Sequence, residues 1–211
     1  MKTMLILIVL LFGEVCIIGL LAFNKPLKLP DSMTDQIKQI YYQETPKADT
    51  NLISNICEIY QEYGQIVSCP KSLFIAHCYV MKLESDITDD RRINASGDIG
   101  ISQINTNTWK LCKNQFISDM LEKSKQRDNY KLVLSLINQS GNIGNLKLNI
   151  CFSLWYLKLL SDESKNTKEI ISKYNCGRTG AFDTLPKITQ KYIVDYEKLD
   201  KKYSVLITKH V

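Results

Sequence analysis

The sequence predicts a mainly α-helical domain behind an N-terminal apolar segment. Two patterns carry that expectation. Apolar residues recur at helical spacing from residue 51 almost to the end of the chain, and no segment reads as strand-turn-strand. A glycine-containing stretch around 92–101 breaks the helical pattern and is read as a small β element. With 211 residues, the chain holds one domain with a proper core plus an N-terminal extension.

Residues 4–23, MLILIVLLFGEVCIIGLLAF, carry a single charge, Glu14, and are followed by Lys25, Pro26 and Lys28. That length suits a transmembrane anchor; a cleaved signal peptide and a buried helix are the rivals. The anchor and the signal both send the domain out of the cytoplasm. Residues 24–50 are polar, hold three of the five prolines, and read as a linker with room for one short helix. The division expected is thus 1–23 anchor or signal, 24–50 linker, 51–211 domain.

Within the domain each helix announces itself. NLISNICEIYQEYG places Ile53, Ile56, Ile59, Tyr60 and Tyr63 on one face, with Asn51 as a cap and Gly64 as a stop. SLFIAHCYVMKLES is apolar on nearly every side, as a helix through the middle of a small core would be. Residues 86–98 are polar and irregular. INTNTWKLCKNQFISDMLEKSK supports another helix or two, and NYKLVLSLINQ a further one before Gly141-Asn142. NLKLNICFSLWYLKLL is a long apolar helix, TKEIISKYN a short one ending before Cys176-Gly177, and Pro186 opens the last.

Formal net charge is +5 with no Lys/Arg block longer than two, which carries no nucleic-acid signature. Cys16 lies in the apolar run. The other six cysteines allow three bridges in an exported domain, or buried free thiols in any compartment. No CxxC spacing is present and the two histidines, His77 and His210, are far apart, so neither a metal nor a cofactor is expected.

Glu84 stands at the end of the most apolar helix. Desolvation there raises a carboxyl pKa, and a protonated acid at a cleft is what cleavage of a glycosidic bond demands. Alone, the residue reads better as a solvated glutamate at a helix end. Three further segments change its context. Glu84-Ser85 is followed by Gly97-Asp98-Ile99-Gly100-Ile101-Ser102-Gln103-Ile104; Asn149-Ile150 opens a helix running through Tyr156-Leu157; and Tyr174-Asn175-Cys176-Gly177 precedes Leu185, Pro186, Ile188, Thr189, Tyr192 and Ile193. In this order, over about 70–197, these segments resemble the motifs of the lytic transglycosylases of glycoside hydrolase family 23, in the lysozyme-like superfamily. The specialised members that accompany bacterial secretion and conjugation machines are similar in carrying Asp-Ile-Gly before Gln-Ile-Asn, as Asp98-Ile99-Gly100 and Gln103-Ile104-Asn105 do here. Ser102 stands where that family has methionine, and Cys176 where it has alanine.

The resemblance implies an α+β lysozyme-like fold and cleavage of the MurNAc–GlcNAc β-1,4 bond of peptidoglycan. Glu84 would protonate the glycosidic oxygen and then take a proton from the sugar's 6-hydroxyl, closing a 1,6-anhydro ring. Gln103 would line the glycan cleft, Tyr174 would bring its hydroxyl near Glu84, Asn175 would hold the turn, and Ser85 would seat the helix end. Gly97 and Gly100 would let the backbone approach the sugar, with Gly177 closing the third motif. Asp98 also fits the pattern of animal lysozymes, where the matching aspartate is a second catalytic carboxylate in a true hydrolysis. It equally suits a turn residue bonded to nearby amides. An inactive glycan-binding protein on the same fold is the alternative of another class. Partners implied are peptidoglycan strands, a membrane through residues 4–23, and a secretion, conjugation or virion assembly.

Overall fold

A computed structural model describes residues 31–125, 129–178 and 185–208. The order is α1 (Asp31–Glu44), α2 (Thr50–Tyr63), α3 (Lys71–Ser85), β1 (Asp98–Ile99), β2 (Ile104–Asn105), α4 (Thr106–Lys125), α5 (Tyr130–Asn138), α6 (Leu146–Asp162), α7 (Thr167–Cys176) and α8 (Lys187–Thr208). The protein is mainly α, as expected. Residues 4–23 lie outside the described residues, and among those no helix is long and apolar enough to cross a membrane.

α3 is the axis of the packing. It touches α1, α6 and α8, and His77, Cys78, Tyr79, Val80 and Met81 along it have no more than traces of exposed surface. A helix apolar all round must be surrounded, and this one is. Pro70 precedes its first turn, where a missing N–H costs nothing. α6 forms the second layer, packed on α2, α3 and α7. Its Phe152 meets Trp109 of α4 edge-on at 4.9 Å, and Trp155 meets Phe116 of α4 at 5.5 Å, so aromatic contacts join α4 to the core.

Three sequence expectations change. The segment read as a linker contains α1, whose Met33, Ile37, Ile40 and Tyr41 are buried against α2, α3 and α8. Their spacing of four, seven and eight residues is one helical face, and it outweighs the polar average of the segment. The cap of α2 is Asp49, whose carboxylate accepts the Asn51 N–H at 2.9 Å, so Asn51 is inside the helix. The β element is a two-residue antiparallel ladder pairing Asp98 with Asn105 and Ile99 with Ile104, so its first strand falls within 92–101 and its second lies beyond.

The six described cysteines are free thiols, with no bridge among them. Cys57, Cys78, Cys112 and Cys151 are buried, and burial pushes Cys57 up to about 11 and Cys78 to about 12. They pack as small apolar side chains.

The placement of α1 is testable. Ile37 has 0% exposure, so Ile37→Ala should cost about 2–5 kcal/mol in urea denaturation. A linker side chain would cost almost nothing on truncation.

Candidate active site

The cleft is about 480 Å³ and lies where the end of α3, the β1–β2 hairpin, α6, and the turn from α7 toward α8 meet. Its walls include Glu84, Asp98, Gln103, Tyr156, Tyr174 and Asn175. Residues from three separated motifs of the sequence therefore share one space.

Glu84 reaches this space because α3 stops there. Asp86 takes the left-handed conformation at φ +53°, its N–H closing on the Lys82 and Met81 carbonyls. Ile87 follows at φ +58°, a conformation a β-branched residue strongly disfavours, and its side chain is held by burial. The double left-handed step turns the chain sharply away from the helix end. Ser85 completes the stop: its hydroxyl donates to the Met81 carbonyl at 3.1 Å and accepts the Thr88 N–H at 3.3 Å. Ser85 thus seats the helix end, as expected, and does not form part of the cleft wall.

The Glu84 side chain is half-buried and lines the cleft. Burial pushes its pKa from the ordinary 4.5 up to about 7; the hydroxyl of Tyr192 opposes that rise, the charge of Asp98 adds to it, and the Asn175 amide opposes it again. No cation is among the influences on it. Tyr192 comes from α8, and its buried hydroxyl has no regular hydrogen-bond partner among the described residues. Asn175 offers its amide nitrogen to the site while its Oδ1 accepts the Thr189 hydroxyl at 2.9 Å, tying α7 to α8.

Asp98 is held by amides. Its Oδ1 accepts from Asn105 at 2.8 Å and its Oδ2 from Asn94 at 3.3 Å. Asn94 in turn accepts the N–H groups of Ser96 and Asp98, each at 2.9 Å, in the manner of an Asx turn. Gln103, at φ +44°, lines the cleft with a side chain already engaged: Nε2 donates to the Gly100 carbonyl at 2.8 Å and Oε1 accepts from Asn94 at 2.9 Å. One N–H and one lone pair of the amide remain for a ligand.

Tyr174 lines the cleft and donates its hydroxyl to the Ser102 carbonyl at 2.9 Å. Gly97, Gly100 and Gly177 all have positive φ, at +85°, +79° and +92°. The role expected for Gly100 changes. A Cβ there would lie 2.4 Å from the amide nitrogen of Asn149, so the residue is small to admit that side chain, not a sugar. Asn149 is fully buried and clamps the hairpin: it accepts the Ser102 N–H at 2.9 Å and donates to the Ile99 carbonyl at 2.9 Å and the Ile143 carbonyl at 3.1 Å.

Sequence reasoning gave Tyr192 and Tyr156 a place in the motifs but no role, and gave Asn105 none. The Thr189-x-x-Tyr192 spacing, one turn of helix, was the available signal for the first. Asn105 carried none, because its partners are fixed only once the loop is folded. Among the described residues, no three His, Cys, Asp or Glu side chains converge to hold a metal. Searches against models of known protein families, characterised protein sequences and solved structures return no match.

The raised Glu84 pKa has a stability signature. Below about pH 4.5 the carboxyl is neutral in both folded and unfolded chains. Between there and about 7 the unfolded chain loses its proton first, so stability falls as pH rises. Above that the folded state carries a desolvated charge costing about 3 kcal/mol. Glu84→Gln should therefore be more stable than wild type at pH 8, with the gap closing toward pH 4. Equal stability at both pH values would mean the carboxyl is solvated.

Proposed function

We propose that the protein is a peptidoglycan lytic transglycosylase of the glycoside hydrolase family 23 kind, on a lysozyme-like fold, with Glu84 as its single acid/base. The observation that carries this reading is the Glu84 carboxyl, pushed up to about 7 by burial at the edge of a polar cleft. A general acid works best with a pKa near the working pH, because it then holds a proton and gives it up readily.

The chemistry needs one carboxyl. Glu84 O–H protonates the glycosidic oxygen as the bond to C1 breaks, leaving a carboxylate beside an oxocarbenium-like sugar. The Asn175 amide and the Tyr192 hydroxyl, both of which favour the charged form, stabilise that carboxylate. The same carboxylate then removes the proton of the 6-hydroxyl while O6 bonds to C1. The proton balance closes, Glu84 returns to its starting state, and no metal or cofactor takes part.

Asp98 faces the same cleft, and its charge favours the protonated form of Glu84. This supports a second reading, lysozyme-type hydrolysis with Asp98 as the other carboxylate. The amides on both of its oxygens favour the first, because a nucleophile would have to shed those bonds. A membrane anchor at residues 4–23 would set the domain on the wall side of a membrane, near a secretion, conjugation or virion assembly. The net charge of +5 suits an anionic wall polymer.

Mass spectrometry of muropeptides released from purified peptidoglycan tests the reading. Anhydro ends are expected, and Glu84→Gln should lower the rate by about 10²–10⁴-fold. Reducing ends would move the assignment to Asp98-assisted hydrolysis. Turnover equal to that of wild type in Glu84→Gln would remove Glu84 from the chemistry.

The rate should fall as pH rises through about 7, where Glu84 loses its proton. Tyr192→Phe should move that alkaline limb to higher pH, because the hydroxyl holds the carboxyl pKa down. A limb that stays in place would free Tyr192 of any part in tuning Glu84.

A further inference from the structure

A chain of buried polar side chains runs behind the cleft, and nothing in the proposed chemistry uses it. Tyr60 of α2 meets His77 Nδ1 at 2.6 Å; His77 Nε2 meets the Ser153 hydroxyl of α6 at 2.5 Å; Ser153 meets the Ser102 hydroxyl at 2.9 Å. Ser102 Oγ is also 3.3 Å from His77 Nε2. All four residues have 0% exposure. Burying so many polar groups is unfavourable unless each finds a partner, and a well-packed apolar set would fill the same volume without that cost.

The chain is satisfied because its members match. A neutral imidazole needs one acceptor and one donor, and hydroxyls serve as either, so both ring nitrogens are partnered in either tautomer. Its far end is Ser102, every polar group of which is engaged. The N–H goes to Asn149, the hydroxyl to Ser153 and His77, and the carbonyl to the Tyr174 hydroxyl at 2.9 Å. Tyr174 and Gln103, the next residue after Ser102, both line the cleft with Glu84.

We propose that the His77–Ser153–Ser102 chain is a positioning device for the site: by fixing Ser102 from within the core, it sets the carbonyl that holds Tyr174 in place beside Glu84. The inference rests on the transglycosylase reading for its kinetic arm only. Ser102→Ala and Ser153→Ala shorten the chain without touching the cleft, Tyr174→Phe removes the bond it supports, and Ser102→Thr restores the hydroxyl.

Rates on peptidoglycan are measured for each single variant and for Ser102→Ala/Tyr174→Phe. Ser102→Ala should lower kcat about tenfold with KM little changed, and Ser102→Thr should recover most of it. The double variant should be no slower than Tyr174→Phe alone, because the two lesions remove one interaction. Fully additive losses, or a Ser102→Ala variant with wild-type kcat, would overturn the proposal. Should Ser102→Ala not fold, Ser153→Ala with Tyr174→Phe forms the same cycle.

An arm independent of turnover follows the Glu84 carboxyl by carbon-13 NMR titration. Its midpoint should shift in Ser102→Ala and Tyr174→Phe by the same amount and return in Ser102→Thr. If wild type proves inactive on peptidoglycan, the transglycosylase reading fails and this titration still decides the positioning role. An unmoved Glu84 midpoint in Ser102→Ala overturns it.

Discussion

A carboxyl group held half out of water at the end of a fully enclosed helix is the constraint on which the site depends. α3 is buried because its residues are apolar on every side, and it must therefore be wrapped by α1, α6 and α8. Glu84 lies beyond the buried run 73–81, half-buried where the helix ends at the cleft. Its pKa follows from that position more than from any single neighbour, since burial is the largest influence on it. The left-handed pair Asp86-Ile87 fixes the length, at the expense of strain in Ile87 that burial of its side chain offsets.

Opposite the helix end, the hairpin is held by amides more than by strand pairing. A two-residue ladder supplies few backbone bonds, so side chains take over. Asn149 clamps it from the core, Asn94 and Asn105 from the solvent side, and Gln103 closes onto Gly100. Amides suit this work because each combines donor and acceptor in one plane, bridging backbone groups of opposite kind. The result is a rigid wall facing Glu84 without any added charge except Asp98.

Much of this was legible from residue types and spacing. The enclosed character of 71–85, the helix stops, and the convergence of Glu84, Gln103 and Tyr174 all follow from local pattern or from motif order. What was hidden is what depends on the folded neighbourhood. α1 was masked by prolines and charges around it, although Met33, Ile37, Ile40 and Tyr41 had helical spacing throughout. Gly100 announced a need for positive φ, but not that an asparagine forty-nine residues later would fill the vacated volume. His77 looked like a lone histidine; its hydroxyl partners come from α2, α6 and the hairpin, which no window of sequence unites.

The same neighbourhood bears on the two carboxylates. Glu84 and Asp98 share a cleft. Burial in the core favours the neutral form of Glu84, while the Tyr192 hydroxyl favours the charged one. Asp98 sits on the hairpin with an amide donor on each oxygen. Held by Asn94 and Asn105, Asp98 makes contacts within its own loop, and its charge raises the pKa of the acid across the cleft. Because both of its oxygens are bonded within the hairpin, Asp98 acts on Glu84 through its charge.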